Sequence, residues 1–563
     1  MSDVTRRHFL EKSGIGASLA GLALPAVGSA FPTIELVREQ PGGSRAEIAR
    51  RWVTVLTHTH RWRWPDDRAT VPFEDAQRRL AEWCAQNGIK AVGVGSAWDP
   101  VSLATYLRYE GRDRDLYYSG RVDPHTVMDT GAVYGTIEQL NRFARGRTLF
   151  YLDNETPKGA TCHMWWFGYR YDYPAWHDYS QDRPIRLFQN DTAIETNPLT
   201  GQPHTRRTPF EIMAAQHEAG ALGVFAHPTR WWTSGEKFIT NIAAFAPLVL
   251  AIYGRLDGLA VMGDRAFNQD YQRLWFHFLD TGAVAPGFAE MDSALNAAPA
   301  ETGSGLYLNY MPLGPSPTLK EIVACARAGR SFASNGPLVT LQVDGQPMGS
   351  VVATNGGKQH RLDITVYPAP GEEVVGRMEI VSNKAQVIAA RDHFRGGRMT
   401  YRLAGRSEPG YVVARVFGER DAPEKTVKYH AVTNPVYLQP AGFRAVAAST
   451  ACRIRVRPQS PWLGGSLEFQ DPTGNTIWRD GIREGVVEQS VRADSQIVLR
   501  KSGMRDIRFF IALENEVVQK RLLYLMRGGF RRDYPNIQHG QVPIEAFGLA
   551  ELSGALRSFS YTL

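Results

Sequence analysis

Residues 326–345 read ARAGRSFASNGPLVTLQVDG, and the character of the sequence changes within this stretch. On the N-terminal side, the segment TLKEIVACARAG at residues 318–329 has the apolar spacing of an amphipathic helix that ends at a glycine. On the C-terminal side, LVTLQVDG alternates apolar and polar residues, which is typical of a half-buried strand followed by a turn. We therefore expect a domain boundary between residues 336 and 337.

Upstream of this boundary, short apolar runs alternate with amphipathic segments. The strand-like runs include VTVLT, IKAVGVG, TLFYLDNE, LGVFAHP, LDGLAVMG and VAPGFAEMD. The helix-like segments between them include FEDAQRRLAEWCAQNG, GTIEQLNRFARG and NQDYQRLWFHFLDTG. Strands that alternate with helices pair in parallel through right-handed crossovers, so residues 31–336 are predicted to form an α/β domain, either a doubly wound sheet or a (β/α) barrel.

Downstream of the boundary, the helical pattern disappears. Short alternating strands follow one another, separated by turns rich in Gly, Pro, Asn and Asp, which is the rhythm of β-sandwiches. A break near Gln439 and Pro440 divides this part of the chain. We predict a β-sandwich domain at residues 337–440 and a second β-rich domain at residues 441–563.

The first thirty residues have the pattern of an export signal. Arg6 and Arg7 precede Phe9 and Leu10, and a short apolar segment of small residues ends at Ala30. A membrane anchor is the alternative, but Gly and Pro interrupt the segment, which is shorter than the ~20 residues of a spanning helix. We therefore predict a twin-arginine signal peptide at residues 1–30, the twin-arginine export machinery as a partner, a periplasmic or secreted location, and no stable membrane span.

Composition excludes several classes of protein. The 563 residues carry a formal charge of +7, with 43% hydrophobic and 21% charged residues, which describes an ordinary globular protein of several domains. No dense Lys/Arg run with interleaved aromatic residues is present, so a nucleic-acid partner is not expected. The four cysteines form no C-x-x-C pair, which excludes zinc ribbons and thioredoxin-like motifs and leaves disulfides or buried thiols.

Ligand-type side chains follow several of the predicted strands at the same end. His58 and His60 follow VTVL, Glu155 ends TLFYLDNE, His227 ends LGVFAH, and Asp292 ends VAPGFAEMD. Residues at i and i+2 of a strand point to the same face, and the active site of a parallel α/β barrel lies at the carboxyl ends of its strands. The shared position predicts a metal site, although an H-x-H pattern arises by chance and Asp292 also suits a helix N-cap.

His163 lies eight residues after Glu155 and completes the candidate ligand set. Two carboxylates and four imidazoles suit zinc, manganese or iron, and the absence of cysteine from the set argues against a structural zinc cluster.

The order of these residues resembles that in the PHP (polymerase and histidinol phosphatase) superfamily of metal-dependent hydrolases. The segment ARAGRSFASNGP resembles the junction found in its CehA/McbA branch, named for carbaryl hydrolases, and the resemblance covers about residues 52–380. It implies an α/β fold, a PHP-like distorted (β/α) barrel followed by C-terminal β-sandwich domains. It implies metal binding by a set of six residues: His58, His60, Glu155, His163, His227 and Asp292.

The sequence departs from the family pattern at three places. Leu56 and Thr57 stand where the family has an acidic residue before the first H-x-H, and GSAWDP retains Asp99 but no histidine. The final motif reads Met-Asp-Ser-Ala at residues 291–294 and also lacks its histidine. We therefore expect one or two divalent ions, zinc foremost with manganese or iron as alternatives, instead of three.

The resemblance implies an enzyme, an exported hydrolase that uses metal-activated water to cleave an ester, carbamate, amide or phosphoester bond. Asp292 or Asp99 would accept the proton, and Arg230 would stabilise an oxyanion, unless it is an ordinary surface arginine. Aromatic runs follow His60, His163 and His227; they predict either a pocket wall for an aromatic or sugar-like small molecule, or packing between loops.

Two other function classes remain open from the sequence. The missing histidines are compatible with a metal-depleted PHP-like module that binds carbohydrate or a cell-envelope component without catalysis. The export route is compatible with a redox enzyme, but the chain has no dinucleotide fingerprint, no haem C-x-x-C-H and no cysteine cluster.

Overall fold

The computed structural model of the chain describes a defined subset of its residues. These are residues 34–41, 45–46, 50–61, 73–94, 130–155, 164–169, 194–196, 203–205, 217, 220–226, 231–234, 237–240, 256–263, 268–280, 282–291, 293–294, 306–421, 426–443, 451–471, 475–492, 495–504, 506–511 and 558–562.

Four α-helices have described bounds, and all of them lie in the first 330 residues. They are α1 (Phe73–Gln86), α2 (Thr130–Ala144), α3 (Asn268–Leu279) and α4 (Leu319–Arg327). A 3-10 turn at Ser460–Trp462 follows later in the chain. The helices coincide with the predicted amphipathic segments, because a period of 3.6 residues is a local property of the sequence.

The first sixteen strands include every strand-like run predicted for this part of the chain. They are β1 (Ile34–Gln40), β2 (Val53–Leu56), β3 (Thr59–Arg61), β4 (Ala91–Val94), β5 (Leu149–Glu155), β6 (Met164–Phe167), β7 (Ile194–Thr196), β8 (Pro203–Thr205), β9 (Leu222–Phe225), β10 (Trp231–Ser234), β11 (Lys237–Thr240), β12 (Gly258–Gly263), β13 (Gly287–Glu290), β14 (Ser293–Ala294), β15 (Leu308–Met311) and β16 (Phe332–Ser334).

The strands after residue 336 are longer on average and follow one another without a described α-helix. They are β17 (Leu338–Val343), β18 (Gln346–Pro347), β19 (Val351–Thr354), β20 (Gln359–Tyr367), β21 (Val375–Ser382), β22 (Gln386–Phe394), β23 (Gly397–Ala404), β24 (Gly410–Asp421), β25 (Thr426–Thr433), β26 (Val436–Pro440), β27 (Ala451–Arg457), β28 (Ser466–Gln470), β29 (Thr476–Gly481), β30 (Val487–Arg492), β31 (Gln496–Arg500), β32 (Ile507–Phe510) and β33 (Ser558–Thr562).

The predicted PHP-like (β/α) barrel is wrong. Strand accounts for 50% and helix for 16% of the described residues, which is far too little helix for a ring of helices around a barrel. Strand β6 pairs antiparallel with both β5 and β9, and β15 pairs antiparallel with β2. A short apolar run predicts a strand, but it does not specify whether the adjacent strand in the sheet is parallel or antiparallel. The alternation of strands and helices therefore predicted parallel pairing, and the observed pairing is mixed.

One large mixed sheet runs through both halves of the chain. Its main path is β13-β12-β9-β6-β5-β4-β2-β15-β16-β25-β24-β21-β22. Strand β16 belongs to the segment at residues 326–345 and pairs with β15 on one side and β25 on the other. The sheet therefore crosses the boundary predicted between residues 336 and 337, and the division into domains stays a prediction.

A second sheet, of order β1-β23-β20-β17-β18, lies against the C-terminal part of the large sheet. Leu341 and Ile364 of this sheet share one buried apolar cluster with Met378 and Val416 of the large sheet. At about 25 cal/mol per Å² of buried apolar surface, this contact is the main force holding the two sheets together. The first described strand, β1, thus pairs with β23, which lies more than 350 residues later in the chain.

Smaller sheets occupy the last part of the chain, β30-β27-β33 and β29-β28-β31-β32. Cys452 on β27 and Cys84 on α1 are buried, and neither forms a disulfide bond within the described residues. Burial of a thiol in apolar surroundings is the outcome expected for cysteines that serve as small apolar residues.

Helix α4, which precedes the junction, begins with a capping box. The Thr318 hydroxyl accepts from the Glu321 backbone N–H, and the Glu321 carboxylate accepts from the Thr318 backbone N–H at 2.8 Å. We expect Thr318→Ala to lower the free energy of unfolding by about 1 kcal/mol, because the Glu321 backbone N–H loses its acceptor at the start of the helix. Chemical denaturation measures this effect, with Thr318→Ser as the control; equal stability of the alanine and serine variants would contradict it.

Candidate functional site

His58 lies directly after β2 in an unusual backbone conformation. Its φ of 57° is in the left-handed region, which costs a non-glycine residue about 1–2 kcal/mol. Its backbone N–H donates to Asp153 Oδ2 at 2.7 Å, and this bond holds the turn in place. The chain therefore turns sharply at the end of β2, with the turn anchored to a buried carboxylate on β5.

The His58 imidazole contacts a second buried carboxylate. Its Nδ1 lies 3.0 Å from Glu290 Oε2 at the end of β13, and both side chains are 2% exposed. With the carboxylate accepting, Nδ1 carries a proton, which makes Nε2 the ring nitrogen suited to bind a ligand. A carboxylate bonded to the far nitrogen of a histidine is the arrangement that commonly orients metal-ligating histidines.

Two glycines leave the space in which these carboxylates lie. A Cβ at Gly93 on β4 would lie 2.3 Å from Asp153 Oδ2, and a Cβ at Gly263 on β12 would lie 2.9 Å from the Glu290 Cγ. Any larger residue would push the acid away, since real Cβ contacts are longer than these distances. Two pairs of adjacent strands, β4 with β5 and β12 with β13, therefore leave room for the two acids.

Hydrogen bonds tie the end of β2 to the end of β13. Thr57 donates through its hydroxyl to Ala289 O at 2.9 Å, and Asn309 exchanges two bonds with the Ala289 backbone, at 2.9 and 3.0 Å. The Met291 backbone N–H donates to Thr57 O at 3.3 Å. These buried bonds fix the separation of His58 and Glu290, because breaking any of them leaves a polar group unsatisfied in the interior.

Aromatic rings enclose the pair. Trp165 on β6 is fully buried and stacks on the His58 ring, with centroids 4.9 Å apart and an interplanar angle of 20°. Tyr151 donates to Leu56 O at 3.3 Å. Burial and then the charge of Asp153 raise the pKa of Tyr151 well above its ordinary value, so this phenol stays neutral. The surroundings exclude water and strengthen the electrostatic contact between His58 and Glu290.

The structure places His58 in a buried polar cluster, but most of the other predicted site residues cannot be compared with it. His60 lies on β3 and Glu155 ends β5, with side chains outside the described residues. The remaining predictions, namely Asp99, His163, His227, Arg230 and Asp292, lie outside the described residues altogether.

Sequence reasoning missed Asp153 and Glu290, each of which lies two residues before a predicted ligand in the sequence. The available signal was an acidic residue inside an otherwise apolar strand, in LFYLD and GFAE. Such an acid needs a buried partner, and here the partner is His58.

The described residues were compared with the arrangement of side chains that a metal ion requires. Within it, no group of three or more His, Cys, Asp or Glu side chains in the part of the chain that the structure describes is arranged to hold an ion. His58 and its carboxylate partner fit the role of one ligand and its orienting group, and the other ligands would come from residues outside the described ranges.

Among the described helices, none is both long and apolar enough to cross a bilayer.

Comparisons with known proteins assign no family. No protein-family model matches the chain, and no curated protein matches it. Two solved structures of BcpA, the major pilin subunit of Bacillus cereus, one of them a variant, match at 10% and 8% identity over 31% and 41% of this chain and 67% and 70% of the pilin chains. The TM-score is 0.14 in both cases, so nothing about fold or function follows from this likeness.

Proposed function

We propose that the protein is an exported metal-dependent hydrolase of an ester, carbamate, amide or phosphoester bond. The observation that carries the proposal is the buried contact between His58 Nδ1 and Glu290 Oε2 at 3.0 Å. A histidine and a carboxylate buried together at strand ends, on a backbone turn that costs free energy, are typical of a functional site. The resemblance to the PHP superfamily supports the choice of reaction class.

The proposed site combines the described cluster with the ligand set that the resemblance implies. His58 would bind through Nε2, with its ring held by Glu290 on one side and Trp165 on its face. The other ligands would be drawn from a set of five residues: His60, Glu155, His163, His227 and Asp292. One or two ions fit this set, with zinc preferred and manganese or iron as alternatives.

A bound divalent ion would supply a hydroxide near neutral pH and polarise the oxygen of the substrate. Glu290 keeps the His58 proton on Nδ1, so that Nε2 presents its lone pair. Asp153 accepts from the His58 backbone N–H and so fixes the backbone from which the imidazole projects. Asp292 or Asp99 would accept the proton released from water, and Arg230 would stabilise the oxyanion.

The proposed substrate is a small aromatic or sugar-like molecule, bound by the aromatic residues that follow His60, His163 and His227. The twin-arginine signal predicted at residues 1–30 would deliver the folded protein to the periplasm or the medium.

Metal analysis of His58→Ala tests the proposal. We expect wild-type protein purified from the cytoplasm to contain a transition metal, and the variant to bind it at least about 10- to 100-fold more weakly, because one ligand is lost. Glu290→Gln should weaken binding to a smaller extent. Hydrolysis of p-nitrophenyl esters, naphthyl carbamates and phosphodiesters should fall in parallel.

The matched control is His360→Ala. His360 is also buried and bonds to a carboxylate, Asp344, at 2.8 Å, but it lies on β20 in the second sheet. Its replacement should leave metal content unchanged. Wild-type protein that is metal-free and stays inactive after reconstitution with zinc or manganese would overturn the proposal and favour a binding module without catalysis.

A further inference from the structure

A cavity of about 340 Å³ opens on the second sheet. Its wall is formed by three adjacent strands, β1, β23 and β20. Its lining includes five exposed-face polar residues, namely Arg38, Gln359, Arg361, Thr400 and Arg402. Three cations around one concave space point to an anionic occupant.

Two of these arginines lie directly opposite each other. Arg361 of β20 and Arg402 of β23 are partners in the ladder, and like charges in this position destabilise a sheet. Glu35 lies on the other side of Arg402, with 3.5 Å between Arg402 Nη1 and Glu35 Oε2. The row therefore holds two positive charges and one negative charge, and a bound anion between the arginines would relieve their repulsion.

Both guanidinium groups remain accessible. Asp363 fixes Arg361 through a contact of 3.0 Å to Nε, yet the Arg361 side chain is 62% exposed. The Arg402 side chain is 52% exposed. A guanidinium has five N–H donors in a planar fork, so each arginine retains donors for a ligand oxygen after these contacts.

A bulge in β1 brings the third arginine to the same side. The register shifts between Leu36, opposite Tyr401, and Arg38, opposite Thr400, so that Val37 is the extra residue. Without the extra residue, Arg38 would lie opposite Met399, whose side chain is buried between the sheets. The bulge therefore places Arg38 on the face that carries Arg402, and bulges commonly re-aim side chains at binding sites.

We propose that this cavity binds the oxyanion group of a small polyhydroxyl ligand, an acidic sugar that carries a carboxylate or a phosphate. Arg361 and Arg402 would hold the oxyanion between them, with Arg38 completing the positive wall. Gln359 and Thr400 would donate to or accept from the hydroxyl groups of the ligand. The same chemistry has two sources, an acidic glycan chain or a free sugar phosphate.

Titration calorimetry on the full-length protein tests this site with three probes: trigalacturonic acid, glucose 6-phosphate and the neutral maltotriose. We expect at least one charged probe to bind, more weakly at high salt, and maltotriose not to bind. Binding of trigalacturonic acid alone would assign the site to an acidic glycan, and binding of glucose 6-phosphate alone would assign it to a sugar phosphate.

Arg402→Gln and Arg361→Gln should each weaken binding about tenfold, since each removes a charge-assisted contact. The control is Arg398→Gln, on the same strand and face as Arg402 but outside the cavity wall, where Arg398 Nη2 lies 3.4 Å from Asp363 Oδ2. The proposal is wrong if neither charged probe binds, or if the control loses as much affinity as the two cavity variants.

Discussion

Gly93→Ala should lower the free energy of unfolding by roughly 2–5 kcal/mol, more than any other single methyl group added near the site. The new Cβ would lie 2.3 Å from Asp153 Oδ2 and 2.5 Å from Asp153 Cβ, so the acid must move. Asp153 would then lose the backbone N–H of His58, and the buried donor would be left unsatisfied. Thermal and chemical unfolding of the purified variant measure the change.

The control for this substitution is Gly135→Ala. Gly135 lies in α2, and no atom outside the adjacent backbone of its own helix would lie within 4 Å of the added Cβ. Alanine is favoured over glycine inside a helix by about 1 kcal/mol, so this variant should be slightly more stable than wild type. A Gly93→Ala protein as stable as wild type would show that Asp153 is not held where the structure places it. Loss of metal in a folded Gly93→Ala protein would show that the position of Asp153 is needed for metal binding at the proposed site.

Glu468→Ala should cost roughly 2–4 kcal/mol of stability, the second large effect. The Glu468 side chain is 1% exposed at the centre of the β29-β28-β31-β32 sheet. It accepts from Arg479 Nε at 2.8 Å and from Gln470 Nε2 at 2.8 Å, and Arg500 Nε lies 3.1 Å away. Alanine would leave these donors facing an apolar gap, although both arginines can reach water.

Glu488→Ala is the matched control in the neighbouring sheet. Glu488 also contacts two arginines, Arg453 and Arg455, but its side chain is 38% exposed. Solvent screens such surface pairs, so the denaturation midpoint should move far less than in Glu468→Ala. Equal shifts in the two variants would contradict the assigned role of burial.

Acidification should act on the same network. Burial alone would raise the pKa of Glu468, but hydrogen bonds from Arg479 and Gln470 and the charge of Arg500 outweigh it and hold the pKa below its ordinary value. A carboxylate with a lowered pKa stabilises the fold above its unfolded-state pKa, and this contribution is lost as the pH falls through the folded-state value. The stability of wild type should therefore fall faster below about pH 4.5 than that of Glu468→Gln.

Local elements were predictable from the sequence. Helix α1, helix α3 and strand β5 coincide with predicted segments, because the periods of 3.6 and 2 residues depend on neighbours along the chain. The end of helix α4 is equally local, since Gly329 follows the helix with a φ of 62°, a conformation that suits glycine. His58 was also recognisable as a functional candidate from its place after an apolar strand.

Strand order and direction were not predictable in this way. The antiparallel position of β6 between β5 and β9 turns the expected parallel array into a mixed sheet. The pairing of β16 with β25 extends that sheet into the C-terminal half. Each of these choices depends on which surfaces bury the most apolar area together, and no short window of sequence contains that information.

The sequence by itself determined where helices and strands form, that His58 follows a buried strand, and that a β-rich region begins after residue 336. Only the tertiary structure decided that Asp153 and Glu290 are the acids that contact His58, across 95 and 232 positions of the chain. It likewise decided that the β1 bulge brings Arg38 to Arg402. Such contacts depend on the register between distant strands, where a shift of one residue moves a side chain to the opposite face.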